Sequence, residues 1–544
     1  MLFSFVFSLL APGVVNLDSD LVGHWKLETD CLDSSGMENH GENRGVRFEE
    51  AKEGSGKKAA FFDGRQSRIL VPHADCLRFG SGDFTVALWI KTEEDLDDIL
   101  GDLVTKFDPR TRRGFNLGIL CNAGVASSQA NDRNLFFGID SGKVDSEWRD
   151  CGRPGNNLMV WSLAVFQGDL YAGTFESGEN DSGHVYRYAG ETEWVECGAP
   201  YKSNAVTSLA VYKGSLYAAA SHYRSSGSAL AESENTTPGG RIFRYAGGTD
   251  WVDCGELENP EGIFGLVVFA GKLYATSMYS PGLFRYDGNR RWTPCGNLSG
   301  RVCPVGVYNG HLYAGSYDMS GVLRYSSEGI WEDLGNPEGV TQVYSFAAHD
   351  GDLYTGTWPD GTVFRYQGPN DWVSAGRLGE EKEVMGMAVY NGKLYAGTLP
   401  LAKVYRYDGE TTWTDTGQLD KTPDVKYRRA WTMAVCGGRL FCGTLPSGHV
   451  YSLEAGKAVT YDQTLQPGWH HLAAIRKGGS LRLYLDGEIV SESTAFQSSD
   501  FDLSNERPLE IGSGPQDRFN GRMRDLRVYR RCLGVDEIGA LSGE

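Results

Sequence analysis

The sequence predicts an all-β protein, and three observations support this class. Gly accounts for 71 of the 544 residues, aromatic residues make up 12% of the chain, and helical periodicity is scarce. Short runs rich in Tyr, Val, Phe and Trp are bounded by Gly, Asn and Asp, as strands joined by tight turns require. A motif typified by residues 392–397, Gly-Lys-Leu-Tyr-Ala-Gly, recurs along the chain. A repeat of about 40 to 50 residues built from short strands indicates the blades of a β-propeller.

Seven copies of this motif predict seven blades. The motif leucines are Leu170, Leu216, Leu273, Leu312, Leu353, Leu394 and Leu440. An Arg-Tyr motif follows, and in six repeats its arginine stands seven residues before a tryptophan, in the pairs Arg187/Trp194, Arg244/Trp251, Arg285/Trp292, Arg324/Trp331, Arg365/Trp372 and Arg406/Trp413. Six copies in register favour a structural role, because catalysis needs one site. We therefore expect the tryptophans to be buried between blades.

The seventh repeat predicts how the ring closes. No tryptophan strand follows residues 450–453, whereas an additional one, residues 148–152, stands before the first repeat. Its sequence Trp-Arg-Asp-Cys-Gly matches residues 194–198 and 251–255. Pairing the two ends would leave no open sheet edge. The predicted propeller spans residues 147–455.

Strand-like segments also precede the propeller, with alternating apolar residues and turns of Gly, Asp and Asn. They are residues 22–27, 33–36, 39–41, 59–64, 83–92, 114–119 and 134–139. Taken in order, these motifs resemble the amino half of a laminin-G-like (concanavalin-A-like) jelly roll. The carboxy half of the same pattern comes after the propeller, in residues 468–474, 481–487, 519–529 and a short closing helix at 535–538.

This resemblance implies an antiparallel jelly-roll sandwich split by an inserted seven-bladed β-propeller. The expected segments are 20–142 and 457–544 for the two halves of the jelly roll. Their combined length suits one domain of about 100–250 residues. The propeller is similar to Kelch-like propellers in its period and its use of Tyr and Trp, although it lacks their Gly-Gly doublet after the second strand.

The spacing of the repeats predicts which face of the propeller carries function. With strands a to d in each blade, the b–c and d–a connections lie on one face and the a–b and c–d connections on the other. All variation in loop length falls in b–c and d–a connections. The jelly roll interrupts a c–d connection, so we expect it on the invariant face. The variable face, distal to the jelly roll, is the expected functional surface, because loops on a rigid scaffold carry function.

Aromatic and charged residues on this distal face are the candidate ligand-binding set. They are Trp358, Asp360, Tyr317, Asp318, His222 and Arg224 after the b strands, and Trp161, Arg301, Tyr427, Arg428, Arg429 and Trp431 in the d–a connections. Aromatic rings stack on the C–H faces of sugars, and arginines and carboxylates bind hydroxyl or uronate groups. The alternative is that several of these aromatics only cap the blade ends as core.

Catalytic motifs are mostly absent from the sequence. It contains no His-Glu-x-x-His, no Gly-x-Ser-x-Gly, no phosphate loop and no Ser-x-Asp-x-Gly-x-x-Trp box of sialidase propellers. A hydrolase with paired carboxylates stays open, because acidic residues are abundant. The catalytic residues of such an enzyme are unknown.

No cofactor is required by the sequence. Resemblance to the jelly-roll superfamily implies a structural Ca²⁺, for which Asp33 and Asp525 are the candidate ligands. The alternative for Asp33 is an Asx-turn in Asp-Ser-Ser-Gly.

Composition limits the partners and the location of the protein. The net charge of −19 argues against nucleic acid or an anionic membrane surface as partner. The apolar run at residues 2–15 is too short to span a membrane, and residues 1–17 are interpreted as a signal peptide. Eleven cysteines leave the redox compartment open. Four of them occupy one repeated packing position, and Cys436 and Cys442 flank a Gly-Gly turn where they could pair.

The leading functional hypothesis is an exported, secreted or cell-surface recognition protein that is not an enzyme and binds a glycan or glycoprotein on the distal propeller face. One alternative is a carbohydrate-active enzyme, a polysaccharide lyase or glycoside hydrolase, at the propeller mouth. Another is a protein-interaction scaffold. An enzyme should show a perturbed acid/base pair in the central funnel, whereas a lectin should show stacked aromatics. The sequence leaves the ligand and the oligomeric state undetermined.

Overall fold

The computed structural model describes residues 16–51, 56–121, 129–258, 261–277, 279, 282–296, 298, 300–318, 321–327 and 329–543. Except for its last two positions, the predicted signal peptide lies outside these residues. Within them, strands dominate, with three short 3₁₀ turns at Asp75–Leu77, Ser225–Ser228 and Ser498–Asp500. No described helix is both long enough and apolar enough to cross a bilayer. The all-β prediction is confirmed.

The first strands of the chain belong to the jelly roll: β1 (Leu21–Trp25), β2 (Glu42–Arg44), β3 (Arg47–Glu50), β4 (Lys58–Asp63), β5 (Arg68–Val71), β6 (Phe84–Thr92), β7 (Gly101–Asp108), β8 (Arg113–Leu120) and β9 (Asn134–Ser141).

The propeller strands follow: β10 (Arg149–Asp150), β11 (Met159–Phe166), β12 (Asp169–Phe175), β13 (Val185–Gly190), β14 (Glu193–Glu196), β15 (Ala205–Tyr212), β16 (Ser215–Ser221), β17 (Arg241–Gly247), β18 (Asp250–Glu256), β19 (Ile263–Phe269), β20 (Lys272–Ser277), β21 (Leu283–Gly288), β22 (Arg291–Pro294), β23 (Val302–Tyr308), β24 (His311–Ser316), β25 (Val322–Ser327), β26 (Ile330–Asp333), β27 (Gln342–His349), β28 (Asp352–Trp358), β29 (Thr362–Gly368), β30 (Asp371–Arg377), β31 (Glu383–Tyr390), β32 (Lys393–Leu399), β33 (Lys403–Gly409), β34 (Thr412–Gln418), β35 (Arg429–Cys436), β36 (Arg439–Leu445) and β37 (Val450–Leu453).

The chain then returns to the jelly roll with β38 (Lys457–Tyr461), β39 (Gly468–Lys477), β40 (Ser480–Leu485), β41 (Glu488–Glu492), β42 (Leu509–Ile511), β43 (Asn520–Tyr529) and the helix α1 (Val535–Ser542).

Two antiparallel sheets form the jelly roll, and each takes strands from both ends of the chain. One has the order β3-β4-β43-β6-β39-β40-β41 with β1 on β43, and the other has the order β2-β5-β42-β7-β8-β9-β38. Side chains from the two inner faces, among them Trp25, Phe62, Phe84, Phe115 and Phe137, are buried in one shared core. Strand β9 precedes the propeller, and its partner β38 follows the propeller. The chain therefore leaves and re-enters the jelly roll at neighbouring strands.

Five separate four-stranded blades are present in the propeller: β19–β22, β23–β26, β27–β30, β31–β34 and β35–β37 with β10. The strands of the first two repeats instead form one eight-stranded sheet. A single residue pair, Phe175 with Ala205, connects β12 to β15 in that sheet. The predicted count of seven blades is therefore not confirmed: five blades are separate sheets, and a short bridge joins the strands of the first two repeats into one sheet.

Ring closure follows the predicted pairing. Strand β10 completes the last blade, with Arg149 opposite Ser452 and Asp150 opposite Tyr451. The backbone N–H of Cys151 extends the pairing to the carbonyl oxygen of Val450 at 2.8 Å. The first and last strands of the propeller therefore protect each other's edges.

The a–b turns of the propeller face the jelly roll, as predicted from the insertion point. Backbone N–H groups of Gly168, Ala270 and Asp350 donate to carbonyl oxygens of the jelly-roll residues Asp462, Leu96 and Pro515 at 2.7–3.0 Å. Such main-chain bonds fix the two parts of the chain against each other.

Residues 129–131, which lie shortly before β9, enter the propeller channel from the jelly-roll side. Gln129 N–H donates to Leu209 O at 3.1 Å, and Ala130 O accepts from Val165 N–H at 2.8 Å. The amide of Asn131 donates to Val435 O at 2.7 Å and accepts from Val435 N–H at 3.1 Å. These partners belong to innermost strands, whose inward backbone groups have no further strand to pair with. No pattern in the sequence predicted this contact.

The repeated tryptophans are half-buried, which corrects the expectation of full burial between blades. They lie on outermost strands, where each side chain stays partly accessible to solvent. Each indole N–H donates to a backbone oxygen of the preceding repeat, as in Trp194 to Cys151 (2.9 Å), Trp251 to Cys197 (2.8 Å) and Trp372 to Leu334 (3.0 Å). Each tryptophan therefore links two repeats through a hydrogen bond as well as through packing.

The cysteines at the repeated position, Cys151, Cys197, Cys254 and Cys295, are buried and unbridged, as a packing role requires. Cys436 and Cys442 are also unbridged. The proposed pairing is wrong because the strand register places Cys436 opposite Arg439 and Cys442 opposite Met433.

Candidate ligand-binding face of the propeller

A β-bulge near the start of each innermost strand shapes the distal mouth of the channel. The register of β11 shifts between Val160 and Ser162, and equivalent shifts occur in the other innermost strands. An extra residue in a strand re-aims its own side chain. The bulged residues include Trp161, Phe264, Tyr344, Met385 and Trp431, each nine residues before a motif leucine.

These side chains meet at the centre of the ring. The Trp161 ring lies 4.7 Å from the Trp431 ring and 5.3 Å from the Phe264 ring, between centroids. Tyr344 reaches Trp431 at 6.5 Å and Tyr223 reaches Trp161 at 4.8 Å. All are buried in one cluster with Met385. We call this set, Trp161, Tyr223, Phe264, Tyr344, Met385 and Trp431, the aromatic plug, because it closes the distal end of the channel.

Two buried charges lie beside the plug. Arg429 Nη2 is 3.7 Å from Glu383 Oε2, and Arg429 also donates to Ser228 Oγ. Burial raises the pKa of Glu383, and the nearby guanidinium opposes this rise. Burial lowers the pKa of Arg429, but the Glu383 carboxylate and the neighbouring tyrosines together raise it, so that the net shift is upward. The mutual pairing and full burial favour a structural role for both groups.

The rim above the plug carries a polar and aromatic cluster from repeats four and five. Arg301 clamps Asp318 through Nε at 3.0 Å and Nη2 at 2.6 Å, and its guanidinium stacks 4.7 Å from the Tyr317 ring centroid. These hydrogen bonds lower the pKa of Asp318. The Tyr344 hydroxyl donates a hydrogen bond to the Tyr317 hydroxyl at 3.0 Å. Trp358 packs half-exposed against the plug.

A second rim cluster surrounds Arg224. Its Nε donates to Glu261 Oε2 at 3.0 Å, and its guanidinium lies 4.7 Å from the Tyr279 ring centroid. The N–H of His222 donates to the carbonyl oxygen of Glu261 at 2.9 Å. The neighbouring imidazole Nδ1 is buried and has no hydrogen-bond partner among the described residues.

The remaining candidates occupy separate parts of the rim. Arg428 donates through Nε to Thr422 O at 2.7 Å, and Tyr427 lies half-buried with the Arg429 guanidinium 5.7 Å from its ring. Asp360 is exposed, and its backbone oxygen accepts from Arg377 Nε at 2.7 Å.

The structure separates the predicted set into two groups. Trp161, Trp431 and Arg429 are 1%, 3% and 7% exposed, so the expectation that they contact ligand at the rim is corrected: they form or support the plug. The others lie on the rim, and their role in binding stays a prediction. Sequence reasoning missed Tyr344, Phe264 and Glu383. The constant nine-residue offset from the motif leucine was the signal that could have found the first two.

The two candidate calcium ligands both contact His24. Asp33 accepts the N–H groups of His24, Ser35 and Asn39 and the Ser35 hydroxyl at 2.8–2.9 Å, as an Asx-turn does. Asp525 Oδ1 lies 2.7 Å from His24 Nε2 and accepts from Arg527 at 3.0 Å. In the described part of the chain, no group of three or more His, Cys, Asp and Glu side chains could hold a metal ion.

Comparison with known proteins matches part of the chain to one family. Residues 437–539 match the family described as the concanavalin A-like lectin/glucanases superfamily. Among curated proteins, adhesion G-protein coupled receptor V1 of Danio rerio is 26% identical over 87 residues. That alignment covers 16% of this chain and 1% of the receptor.

Among solved structures, virginiamycin B lyase of Staphylococcus aureus is similar with a TM-score of 0.44 and 11% identity, covering 57% of this chain and 99% of that one. Saccharomyces cerevisiae Sqt1 gives a TM-score of 0.35 and 10% identity, covering 57% of this chain and 100% of that one.

Proposed function

We propose that the protein is a non-catalytic recognition protein that binds a glycan or glycoprotein on the distal face of its propeller. The observation that carries this proposal is the rim cluster of half-exposed aromatic rings, Tyr317 and Trp358, beside the Arg301–Asp318 clamp. Such rings offer flat apolar faces to sugar C–H groups, while the charged pair offers directed hydrogen bonds. The buried plug beneath gives this surface a rigid floor.

The same proposal includes several finer points. The eight-stranded sheet is interpreted as two blades joined at one residue pair, so that the ring has seven blades of Kelch-like type. Export to the cell surface or medium suits a jelly roll similar to part of an adhesion receptor. A structural Ca²⁺ would belong to the jelly roll through Asp33 and Asp525, once their hydrogen bonds to His24 are replaced.

A carbohydrate-active enzyme at the propeller mouth is the second candidate, because Glu383 is an acid with a raised pKa near the central funnel. Binding is favoured over catalysis because Glu383 is 1% exposed and pairs with Arg429 beside the aromatic plug. A general acid must reach a substrate oxygen. Incubating the protein with polysaccharides and measuring new reducing ends and unsaturated uronates tests this candidate.

A glycan array with the full chain, followed by calorimetric titration of the best ligand, tests the binding proposal. Trp358→Ala should weaken that ligand about tenfold or more, because stacking of a ring on an aromatic face is lost. Thermal stability should change little, since the side chain is half-exposed. Trp469→Ala, which removes a half-buried tryptophan from the jelly roll, is the matched control and should leave affinity unchanged. Equal loss in both variants, or none in Trp358→Ala, would contradict the proposal.

A further inference from the structure

A cleft separate from the distal face lies where the first and last repeats meet the jelly roll. Its volume is about 510 Å³, within the range of small-ligand sites. Walls come from strands β12, β13 and β36 of the propeller and from β38 and β41 of the jelly roll. It therefore exists only in the folded two-part protein.

The charge pattern of the repeats is broken in this cleft. In repeats one and five, an aspartate before the motif leucine pairs with the third-strand arginine, Asp169 with Arg187 and Asp352 with Arg365, both at 3.1 Å. In repeat seven, Arg439 stands in the position of the aspartate and Ser452 in that of the arginine. The charge at the aspartate position is therefore reversed, and the position of its arginine partner has lost its charge.

Arg439 is consequently a half-exposed cation in the cleft that has neither ion pair nor hydrogen bond among the described residues. The protein as a whole has a net charge of −19, so an uncompensated guanidinium within a concave site stands out. Its planar fork matches a carboxylate better than any other side chain does.

The acids that line the cleft are already engaged. Asp169 is held by Arg187, Glu454 by Lys457 at 2.6 Å, and Glu492 by Arg482 at 2.9 Å. Asp462 accepts the N–H of Gly437 at 2.8 Å, and burial raises its pKa. Among the charged side chains that line the cleft, the Arg439 guanidinium is therefore the one that remains available to a ligand.

The rest of the wall suits a sugar ring. Tyr188 is half-buried, and its ring lies 5.6 Å from that of Phe441, which gives an aromatic surface. Ser491, Ser493 and Thr494 of the jelly roll bring hydroxyl groups to the opposite side. Aromatic carbon and hydroxyl groups around one guanidinium are the contacts that a carboxylated sugar needs.

We propose that this cleft binds an acidic saccharide unit, a uronate or sialate, with its carboxylate on Arg439. The site is independent of the distal face, so each can succeed or fail alone. The chain would then hold two saccharide sites on opposite sides of the propeller. A ligand bearing both kinds of unit would gain avidity from them only if it could span that distance.

The test uses the full chain with glucuronate and N-acetylneuraminate as probes and glucose as the neutral counterpart, measured by saturation-transfer NMR and calorimetry. Arg439→Gln should weaken at least one acidic probe about tenfold or more, because a charge-assisted fork is removed. Arg439→Lys should restore part of that loss. Arg244→Gln is the matched control, since Arg244 is also a half-exposed arginine without an ion pair among the described residues but lies outside the cleft.

Ala189→Trp supplies a second variant that leaves all charges in place. Ala189 is exposed and lines the cleft, so a large ring there should block the site without disturbing the core. Trp469→Ala, a change outside both the cleft and the distal face, should leave binding of the probes unchanged. Binding of glucose as strong as that of the acids, equal effects of Arg439→Gln and Arg244→Gln, or no binding of either acidic probe would overturn the proposal.

Discussion

At the scale of single residues, the half-buried tryptophans connect the repeats. Each combines ring packing with one hydrogen bond, and Trp372 shows both: its ring lies 4.9 Å from that of Tyr366, and its indole donates to Leu334 O at 3.0 Å. Because this hydrogen bond joins two repeats, its loss should destabilise the ring as a whole.

We expect Trp372→Ala to lower the free energy of unfolding by about 2–4 kcal/mol, less than for a fully buried ring because the side chain is already partly exposed to solvent. Trp372→Phe should cost about 1 kcal/mol, mainly the hydrogen bond. Denaturant unfolding of both variants measures the difference. A loss below about 0.5 kcal/mol in Trp372→Ala would contradict the linking role.

Buried carboxyl groups of the jelly roll predict a dependence of stability on pH. Burial raises the pKa of Asp102 to about 8 and that of Asp517 to about 7. In the unfolded chain both carboxyls have a pKa of about 3.9. The folded state therefore holds protons that the unfolded state has released. This contribution to stability is complete below about pH 4 and is lost as pH rises toward about 8.

Asp102→Asn should reduce the loss of stability that accompanies rising pH. The amide keeps an oxygen that can accept from the Gln516 N–H, as Asp102 Oδ2 does at 2.7 Å, and it carries no charge. Relative to wild type, the variant should gain stability between pH 5 and pH 8, by roughly 1 kcal/mol or more at the upper end. Unfolding at several pH values checks this, with the exposed Asp371→Asn as control. A parallel pH profile in both proteins would contradict the expectation.

At the scale of elements, the segment of residues 129–131 before β9 joins the jelly roll to the propeller channel. Through Gln129, Ala130 and Asn131 it bonds to four innermost strands, β11, β15, β19 and β35. The inward edge of an innermost strand is otherwise unpaired. This connection therefore satisfies buried backbone groups that neither part could satisfy alone.

Asn131→Ala should destabilise the propeller by about 2–4 kcal/mol, because it leaves the N–H and C=O of Val435 buried without their partner. Hydrogen exchange at the Val435 amide should accelerate together with a lower melting temperature. The exposed amide Gln466→Ala is the control and should change stability by less than about 0.5 kcal/mol. An unchanged melting temperature in Asn131→Ala would show that the contact contributes nothing.

At the scale of the whole molecule, the ring is closed by β10, which lies far from its partner β37 in the chain. A fragment of residues 145–456 retains β10, whereas 153–456 lacks it. We expect the longer fragment to melt cooperatively and the shorter one to melt at a clearly lower temperature, since an open edge remains. Thermal unfolding of both, followed by near-ultraviolet circular dichroism, makes the comparison. Equal melting of the two fragments would contradict closure by β10.

The sequence by itself determined much of the architecture. Repeated local patterns revealed the strands, the propeller, its closing strand and the face that meets the jelly roll, because period and turn chemistry act over a few residues. It also placed Tyr317, Arg301, Asp318 and Trp358 on one rim, since equivalent positions in a repeat lie on one face.

Only the tertiary structure decided what those residues do together. Burial of Trp161, Trp431 and Arg429 follows from bulges that turn side chains of several repeats toward one axis. The entry of Asn131 into the channel, and the cleft around Arg439, join segments far apart in the chain. Such contacts depend on how the closed sheets pack against each other in three dimensions. No local pattern of residues determines which distant segments of the chain meet.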